Sequence, residues 1–526
     1  MMEQFPLYLA LICAIVLIVI LANKIKVAYP VLLVVAGLLI SFVPGMPVLH
    51  IDPEMIFIIF LPPLLYDAAF AVSWKEMWRW RRIIGSFAFI VVFFTATSVA
   101  LVSNMFIPGF TLALGFLLGG IVSPPDAVSA SAVMRFVDAP RRMVSVVEGE
   151  SLLNDASSLI IFRFALIAVA TGQFVWFQAT LTFLWMIVGG VGIGLAVGWV
   201  FMKGHRLLPT DENMDFVLTL VAPYVMYIAA EELHSSGVLA VVSGGLFQSV
   251  KRYSFLRSSS RLRGANVWQS LVFVLNGLVF LLIGLDMPEI VAGLRTEGIS
   301  FSSAIGYGLL ITAVLIVVRF IASFGAVVVT MIVRNFASVA DPNPGFKAPI
   351  ILGWTGMRGV VSLAAALSIP MYLGDGMPFP HRNFILFITF VVITTTLLLQ
   401  GLTLPLVIRK VNFTGFNDHI PDQEADHLLK RGMAQQALDY LNTLDGGKQN
   451  HHASLRYFVN KWEEKSTGSD EALDMPAHSK ALYVEVLDHQ RKWLLNQNAE
   501  QRQIDEEVIR KYLRQLDIEE ERLKSL

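Results

Sequence analysis

The sequence predicts an all-α polytopic membrane protein of thirteen transmembrane helices followed by a helical, water-soluble tail. Three observations carry this fold class: the composition, a series of long apolar runs, and the way basic residues alternate between the loops. Of the 526 residues, 55% are hydrophobic and 15% charged, and the mean hydropathy is +0.63. A soluble globular chain carries roughly 25% charged residues, so the composition excludes that class. The net charge of −1 argues neither for nor against nucleic acid, and no nucleic-acid partner is expected. Cys13, the single cysteine, sits inside an apolar run, so neither a disulfide framework nor a cysteine metal site is expected. No cofactor motif is present, and the chain does not read as an enzyme.

Charge divides the chain near Arg409-Lys410. The 116 residues from Val411 onward hold 15 Lys+Arg and 21 Asp+Glu, against 25 and 20 in the first 410. Residues 1–410 are therefore expected to form the membrane domain and 411–526 a cytosolic helical domain.

A spanning helix needs about 20 apolar residues, and runs of that kind fall near 5–23, 27–43, 55–73, 83–105, 111–134, 142–170, 175–202, 213–232, 236–250, 266–286, 301–333, 349–373 and 383–408. The first is read as a span and not as a secretory signal. Its leader Met-Met-Glu-Gln lacks a basic residue, and Lys24 and Lys26 follow the run. Alternate loops, beginning with the one after the first span, hold 18 basic residues, among them Lys75, Arg79, Arg81, Arg82, Arg135, Arg257 and Arg261. The loops between them hold only Arg295 and Arg382. Basic loops stay cytoplasmic, which places the N-terminus outside and the tail inside, in what is expected to be a bacterial inner (plasma) membrane.

Thirteen spans divide as six, one and six, the inverted repeat common in secondary transporters. The fifth and twelfth spans then correspond, and both are interrupted: Ser123-Pro124-Pro125-Asp126 in one, Gly353-Trp354-Thr355-Gly356-Met357-Arg358-Gly359 in the other. Paired interruptions point to a midplane binding site, because irregular backbone at that depth must line a cavity or be buried in protein.

Ionisable groups inside hydrocarbon are costly, and functional by default. The sixth span holds Glu148-Gly149-Glu150-Ser151-Leu152-Leu153-Asn154-Asp155. At about 100° per residue, Glu148, Ser151 and Asp155 share a face with Asn154 beside them, while Glu150 points elsewhere. A dry carboxylate can hold either a proton or a small cation. Ser151, Asn154 and freed carbonyls of the fifth-span break would complete an oxygen shell for a monovalent ion such as sodium on Asp155. Asp126 and Arg358 stand in the two breaks, where an acid suits the positive half-helix ends and an arginine the negative ones. Arg319 lies midway along the eleventh span and needs a partner, for which Glu150 is the natural candidate. Asp67 in the third span either lines the ion path or hydrogen-bonds to a neighbouring helix, and Arg163 either snorkels outward or pairs with an acid.

Other features read as structural. Gly189-Gly190-Val191-Gly192-Ile193-Gly194 suits close helix packing and not a nucleotide loop. Trp74, Trp78 and Trp80, among basic residues, form an interfacial anchor. His50, His205 and His234 are assigned to loops, and His451-His452 to a solvated loop of the tail. In the tail, loops are expected at Asp445-Gly446-Gly447-Lys448 and around 466–470. Ile504, Val508, Tyr512 and Leu516 fall at helical spacing, as in a small bundle that supports dimer contact.

Glu150-Ser151-Leu152-Leu153-Asn154-Asp155, Ser123-Pro124-Pro125-Asp126-Ala127-Val128 and Gly356-Met357-Arg358-Gly359-Val360-Val361 together resemble signatures of the monovalent cation/proton antiporter-1 family, the sodium/proton exchangers of the NhaP and NHE kind. The resemblance covers about residues 5–410. It implies a homodimer with a scaffold and a mobile six-helix core, the two broken helices crossing. It implies Asp155 as the carboxylate that binds ion and proton, with Asn154 and Ser151 beside it, a Glu150–Arg319 pair, Asp126 and Arg358 at the crossing, and Asp67 as a pathway acid. An Asn-Asp pair is the family's pattern for electroneutral exchange. One position departs: family members often carry Thr before the fifth-span Asp, where this chain has Pro125. The expected substrates are thus Na+ (or Li+) and H+, with K+/H+ exchange as the alternative. An intramembrane aspartyl protease is disfavoured because the string before Asp375 lacks the first Gly of Gly-x-Gly-Asp, and a gated cation channel because no continuous polar pore face is present.

Overall fold

In hydrocarbon every backbone N–H and C=O must find its partner within the protein, so long apolar runs become helices and stop only where Gly, Pro or charge permits. The structure is a computed structural model that describes residues 5–25, 29–43, 53–135, 137, 140–172, 176–335, 345–373, 376–412, 422–445, 477–501 and 503–525. Lys26, His50, Asp375, Gly446 to Lys448, His451-His452 and residues 466–470 lie outside them. Among the described residues there is no β-strand, only an isolated bridge between Tyr372 and Pro378.

The helices are α1 Phe5–Ile25, α2 Tyr29–Ser41, α3 Pro53–Ala71, α4 Trp74–Arg79 and α5 Arg81–Gly85, which runs through a π-helical turn, Ser86–Val91, into α6 Val92–Phe106. There follow α7 Leu112–Val122, α8 Ala127–Arg135, α9 Arg141–Thr171, α10 Trp176–Leu207, α11 Glu212–Glu232, α12 Gly237–Phe255, α13 Ser258–Thr296 and α14 Phe301–Val333. The half-helices α15 Lys347–Trp354 and α16 Val360–Leu367 precede α17 Arg382–Val411. The tail supplies α18 Asp422–Asp445, α19 Ala477–Glu500 and α20 Glu506–Ser525. Every expected apolar segment coincides with a helix or a pair of half-helices. Among the described residues eight helical stretches are long and apolar enough to cross a membrane, and Leu9–Ile25, Tyr29–Ser41 and Phe57–Ala71 are shorter apolar helices. The count of thirteen crossings therefore still rests on the sequence.

Two compact units form. The first comprises Met1–Leu208, Val217–Lys251 and Trp268–Gly415. Its interior is built on α7–α8 and α17, whose apolar stretches are 72% and 67% buried, whereas those of α10 and α14 are 22% buried. Leu184, Trp185, Val188, Trp199 and Val200 of α10 and Val317, Ile321 and Val328 of α14 are exposed, an apolar outer surface suited to lipid. Gly190 and Gly194 admit α12 to the face of α10: a Cβ on Gly190 would stand 2.7 Å from the Ser236 carbonyl, and one on Gly194 would strike the Ala240 carbonyl. Gly192 of the same run meets nothing.

Several expectations are corrected. His205 lies within the last turn of α10, buried, not in a loop. The span expected at 266–286 is the 39-residue α13, because a charged end such as Arg261 to Arg263 does not stop a helix that leaves the apolar layer. Trp74 and Trp78 are exposed and stack at 5.7 Å, but Trp80 is buried and donates to Glu76 Oε2 at 3.1 Å, so two of the three tryptophans suit an anchor. Arg163 pairs with Glu231 at 2.6 Å, which resolves the choice between snorkelling and pairing.

The second unit comprises Pro209–Phe216, Arg252–Val267 and Phe416–Leu526. Leu429 and Leu441 of α18, Val486, Leu487 and Leu494 of α19, and Val508, Tyr512 and Leu516 of α20 pack into one apolar core. A buried charge cluster joins its segments. Arg261 donates twice to Asp517, and Arg491 reaches Asp517 at 3.1 Å and Glu520 at 2.8 Å. Ser260 donates to Asp215 at 2.7 Å.

In the same unit Asp426 of α18 pairs with Lys511 of α20 at 3.0 Å and with Lys430 at 3.1 Å. Burial alone would raise the Asp426 carboxyl, but hydrogen bonds from Tyr512, Lys511 and Lys430 outweigh it and bring its pKa down to about 2. A carboxylate depressed below its unfolded value of about 3.9 stabilises the fold above that value and loses the contribution as the pH falls through about 2. Asp426→Asn is expected to cost on the order of 1 kcal/mol at neutral pH, screening included, and progressively less as the pH falls through about 2. Hydrogen exchange of peptides from α18 in the full-length protein, read as a ratio of variant to parent, checks this; a ratio of one at neutral pH would refute it.

Candidate functional site

Helix geometry distributes the polar residues of α9 over several neighbours. Glu150, buried, receives both terminal nitrogens of Arg319 from α14, one at 2.8 Å. The same guanidinium donates from Nε to the Leu352 carbonyl of α15 at 3.2 Å and lies 5.1 Å from the Phe87 ring, within the π-helical turn. Ser151 Oγ accepts the Ala127 N–H, the first of α8, at 3.1 Å. Glu148 Oε1 accepts from Ser131 Oγ of α8 at 3.1 Å. Asp155 is buried, and its carboxylate makes no hydrogen bond or ion pair among the described residues. Asn154 beside it has no exposed surface, and both its amide atoms lack a hydrogen-bond partner among the described residues.

The two interruptions touch. The Asp126 N–H donates to the Met357 carbonyl at 2.7 Å. The Asp126 carboxylate caps α8, accepting from the N–H groups of Val128 at 3.0 Å and Ser129 at 3.1 Å and from the Ser129 hydroxyl. These are the donors left free at a helix N-terminus. Arg358, fully buried, serves the opposite ends. Its Nε donates to Val122 O at 2.8 Å and its Nη2 to Ser123 O at 3.4 Å, both at the C-terminus of α7, while Nη1 binds Gly356 O. Gly359 is dictated by this approach, since a Cβ there would collide with the Asp126 carboxylate. Asp126 also stands close enough to Asp155 for the two carboxylates to feel each other's charge.

The structure thus brings Glu150 to Arg319, Ser151 to α8, and Asp126 and Arg358 to the crossing of the breaks. Asp67 stands apart: half-buried on α3, it makes no hydrogen bond or ion pair among the described residues, while Tyr66 beside it donates to Gln248 of α12. Pro125, buried, offers no side-chain oxygen. Two residues of α17 escaped the sequence reading. Thr396 Oγ1 accepts the Arg358 N–H at 3.2 Å, and Thr403 Oγ1 accepts the Trp354 indole N–H at 2.8 Å. Their signal was a recurrence of polar side chains along one face of an otherwise apolar span. Chemically, a buried carboxylate without an ionic partner, beside a hydroxyl and an amide, can take up a proton or a monovalent cation.

The Glu150–Arg319 pair has a clear energetic signature. Glu150→Gln or Arg319→Met leaves one buried charge uncompensated and is expected to cost about 3–5 kcal/mol. The double substitution is expected to recover most of that. Thermal melting of the detergent-purified variants checks this, and additive losses in the double variant would show that the two side chains are not coupled.

The family model described as sodium/hydrogen exchanger, transmembrane, matches residues 9–410. A sodium, potassium, lithium and rubidium/H(+) antiporter of Bacillus pumilus is 33% identical over 391 residues, 72% of this chain and 58% of the relative. The chain therefore spans little more than half of that relative's length. An uncharacterized Na(+)/H(+) exchanger of Mycobacterium tuberculosis is 31% identical over 531 residues, 98% of this chain and 95% of the relative. The solved structure of the sodium proton antiporter MjNhaP1 from Methanocaldococcus jannaschii at pH 8 shares the fold, with a TM-score of 0.63 at 18% identity over 78% of this chain and 99% of that one. With the family model spanning the helices that carry both breaks and the acids of α9, the chain belongs to the transmembrane sodium/hydrogen exchanger family.

Proposed function

We propose that this chain is a secondary active transporter that exchanges Na+ or Li+ for H+ by alternating access, one cation for one proton and hence electroneutrally. The observation that carries the reading is Asp155, buried on α9 with no ionic partner among the described residues, one turn beyond Ser151, whose hydroxyl accepts the Ala127 N–H beside the first break. A bare carboxylate resists passage through a low-dielectric barrier. Loaded with a proton or with a cation it is neutral, so only the loaded forms move and binding one substrate displaces the other. In this reading Ser151 and Asn154 add oxygens to the cation shell. Asp126 and Arg358 balance the half-helix ends, Glu150 and Arg319 fasten α9 to α14, and Asp67 is an acid of the access path.

The same proposal takes residues 1–410 as a membrane domain of thirteen spans, with the N-terminus outside, and 411–526 as a cytosolic helical domain. The protein works as a homodimer in a bacterial inner membrane, in contact with its lipid. Potassium/proton exchange is the second reading. It draws on Pro125, which removes a hydroxyl from the cation shell, and on the potassium in the name of the Bacillus relative.

Proton efflux from acid-loaded, inside-out vesicles tests this. Sodium and lithium are expected to collapse the gradient, potassium to do so weakly, and Asp155→Asn to be silent. Equal or stronger collapse by potassium would favour the second reading. Full activity of Asp155→Asn would remove the carboxylate from the mechanism.

A further inference from the structure

Three polar side chains of α17 face the break between α15 and α16. Thr396 accepts the Arg358 N–H, and Thr403 accepts the Trp354 indole N–H. Between them, one turn beyond Thr396, lies Gln400. It has no exposed surface, and both its Nε2 and its Oε1 lack a hydrogen-bond partner among the described residues. Its surroundings are defined by Gly356. Around the position that a Cβ on this glycine would take, the nearest atoms are Arg358 Nη1 at 2.9 Å, Arg319 Cγ at 3.6 Å and Gln400 Nε2 at 3.6 Å. The amide therefore looks onto the unwound residues 355–359 and onto the guanidinium that holds them. The charged groups that face these residues include Arg358, Arg319 and Glu150 and, at Gly359, the Asp126 carboxylate.

A buried amide left unmade is costly, and glutamine carries both an acceptor and donors. A packing element with two discrete arrangements can leave such a group free in one and engaged in the other. We propose that Gln400 is a positioning residue of the exchange site: its amide takes over the Arg358 guanidinium and the Gly356 carbonyl when the half-helices shift between access states. The swap replaces one hydrogen bond by two and satisfies both ends of the amide. Arg358 Nη1 leaves Gly356 O for Gln400 Oε1, and Gln400 Nε2 donates to the carbonyl so released. Neutrality is required, because a carboxylate here would hold Arg358 in one state. The inference rests on the transport reading above.

The test compares parent, Gln400→Leu and Gln400→Glu as full-length proteins, with exchange rates in vesicles and melting temperatures in detergent. Gln400→Leu is expected to lower the maximal rate at least ten-fold, with the cation KM within about two-fold of the parent and the fold retained. Gln400→Glu is expected to be slowest relative to the parent at high pH. It recovers as the pH falls and the new carboxyl becomes a neutral donor and acceptor. Should the leucine variant fail to fold, the pH dependence of the glutamate-to-parent ratio decides. A leucine variant as fast as the parent, or a glutamate ratio that does not move with pH, overturns the proposal. A parent that exchanges no cation overturns the transport reading and this one with it.

Discussion

A helix that stops inside hydrocarbon leaves N–H groups at one end and C=O groups at the other with no water to bind. Two helices of this chain stop there, and the contact between residues 123–126 and 355–359 resolves the difficulty for both. Asp126 takes the free N–H groups of α8, and Arg358 takes the free carbonyls of α7 and of Gly356. Each side chain sits on the helix end whose partial charge it opposes. The remaining backbone link, Asp126 N–H to Met357 O, ties the breaks directly, and only glycine at 359 admits the carboxylate so closely. Without this arrangement neither interruption would be tolerable at that depth.

The other buried charges are placed around this crossing. Arg319 reaches from α14 to Glu150 on α9 and to the carbonyl of Leu352 just before the second break. A single guanidinium thereby links the helix that carries Asp155 to a half-helix of the crossing. Because Arg319 is committed to Glu150 and Arg358 to backbone carbonyls, neither cation is left to neutralise Asp155. That division is what makes the carboxylate available to an exchangeable partner in the proposed mechanism. Thr396 and Thr403 extend the same support from α17, each holding one polar group of the broken helix.

The second unit obeys different physics. Its helices are rich in charge, and its stability rests on an apolar core flanked by Arg261, Arg491, Asp517 and Glu520. The unit collects Arg252–Val267 and Pro209–Phe216 together with the tail. A division of the chain by charge density near residue 410 could not include those segments, since they lie between apolar runs in sequence.

What the sequence determined by itself follows from the cost of polar backbone and bare charge in hydrocarbon. That cost demands long apolar runs, confines breaks to Gly and Pro, and makes each acid or arginine within a run conspicuous. Helix positions, the two interruptions and the residues Glu150, Asn154, Asp155, Asp126, Arg319 and Arg358 were legible on those grounds. Of the partnerships, that of Arg319 with Glu150 was legible too, and the others were not. That Arg163 meets Glu231, that Trp80 turns inward to Glu76, that α13 continues to Ser258, and that Thr396 holds the Arg358 N–H were decided only by the tertiary structure. Hydropathy records how much water a residue avoids, whereas hydrogen bonds and ion pairs depend on which neighbouring helix arrives within about 3 Å, a distance that packing alone sets.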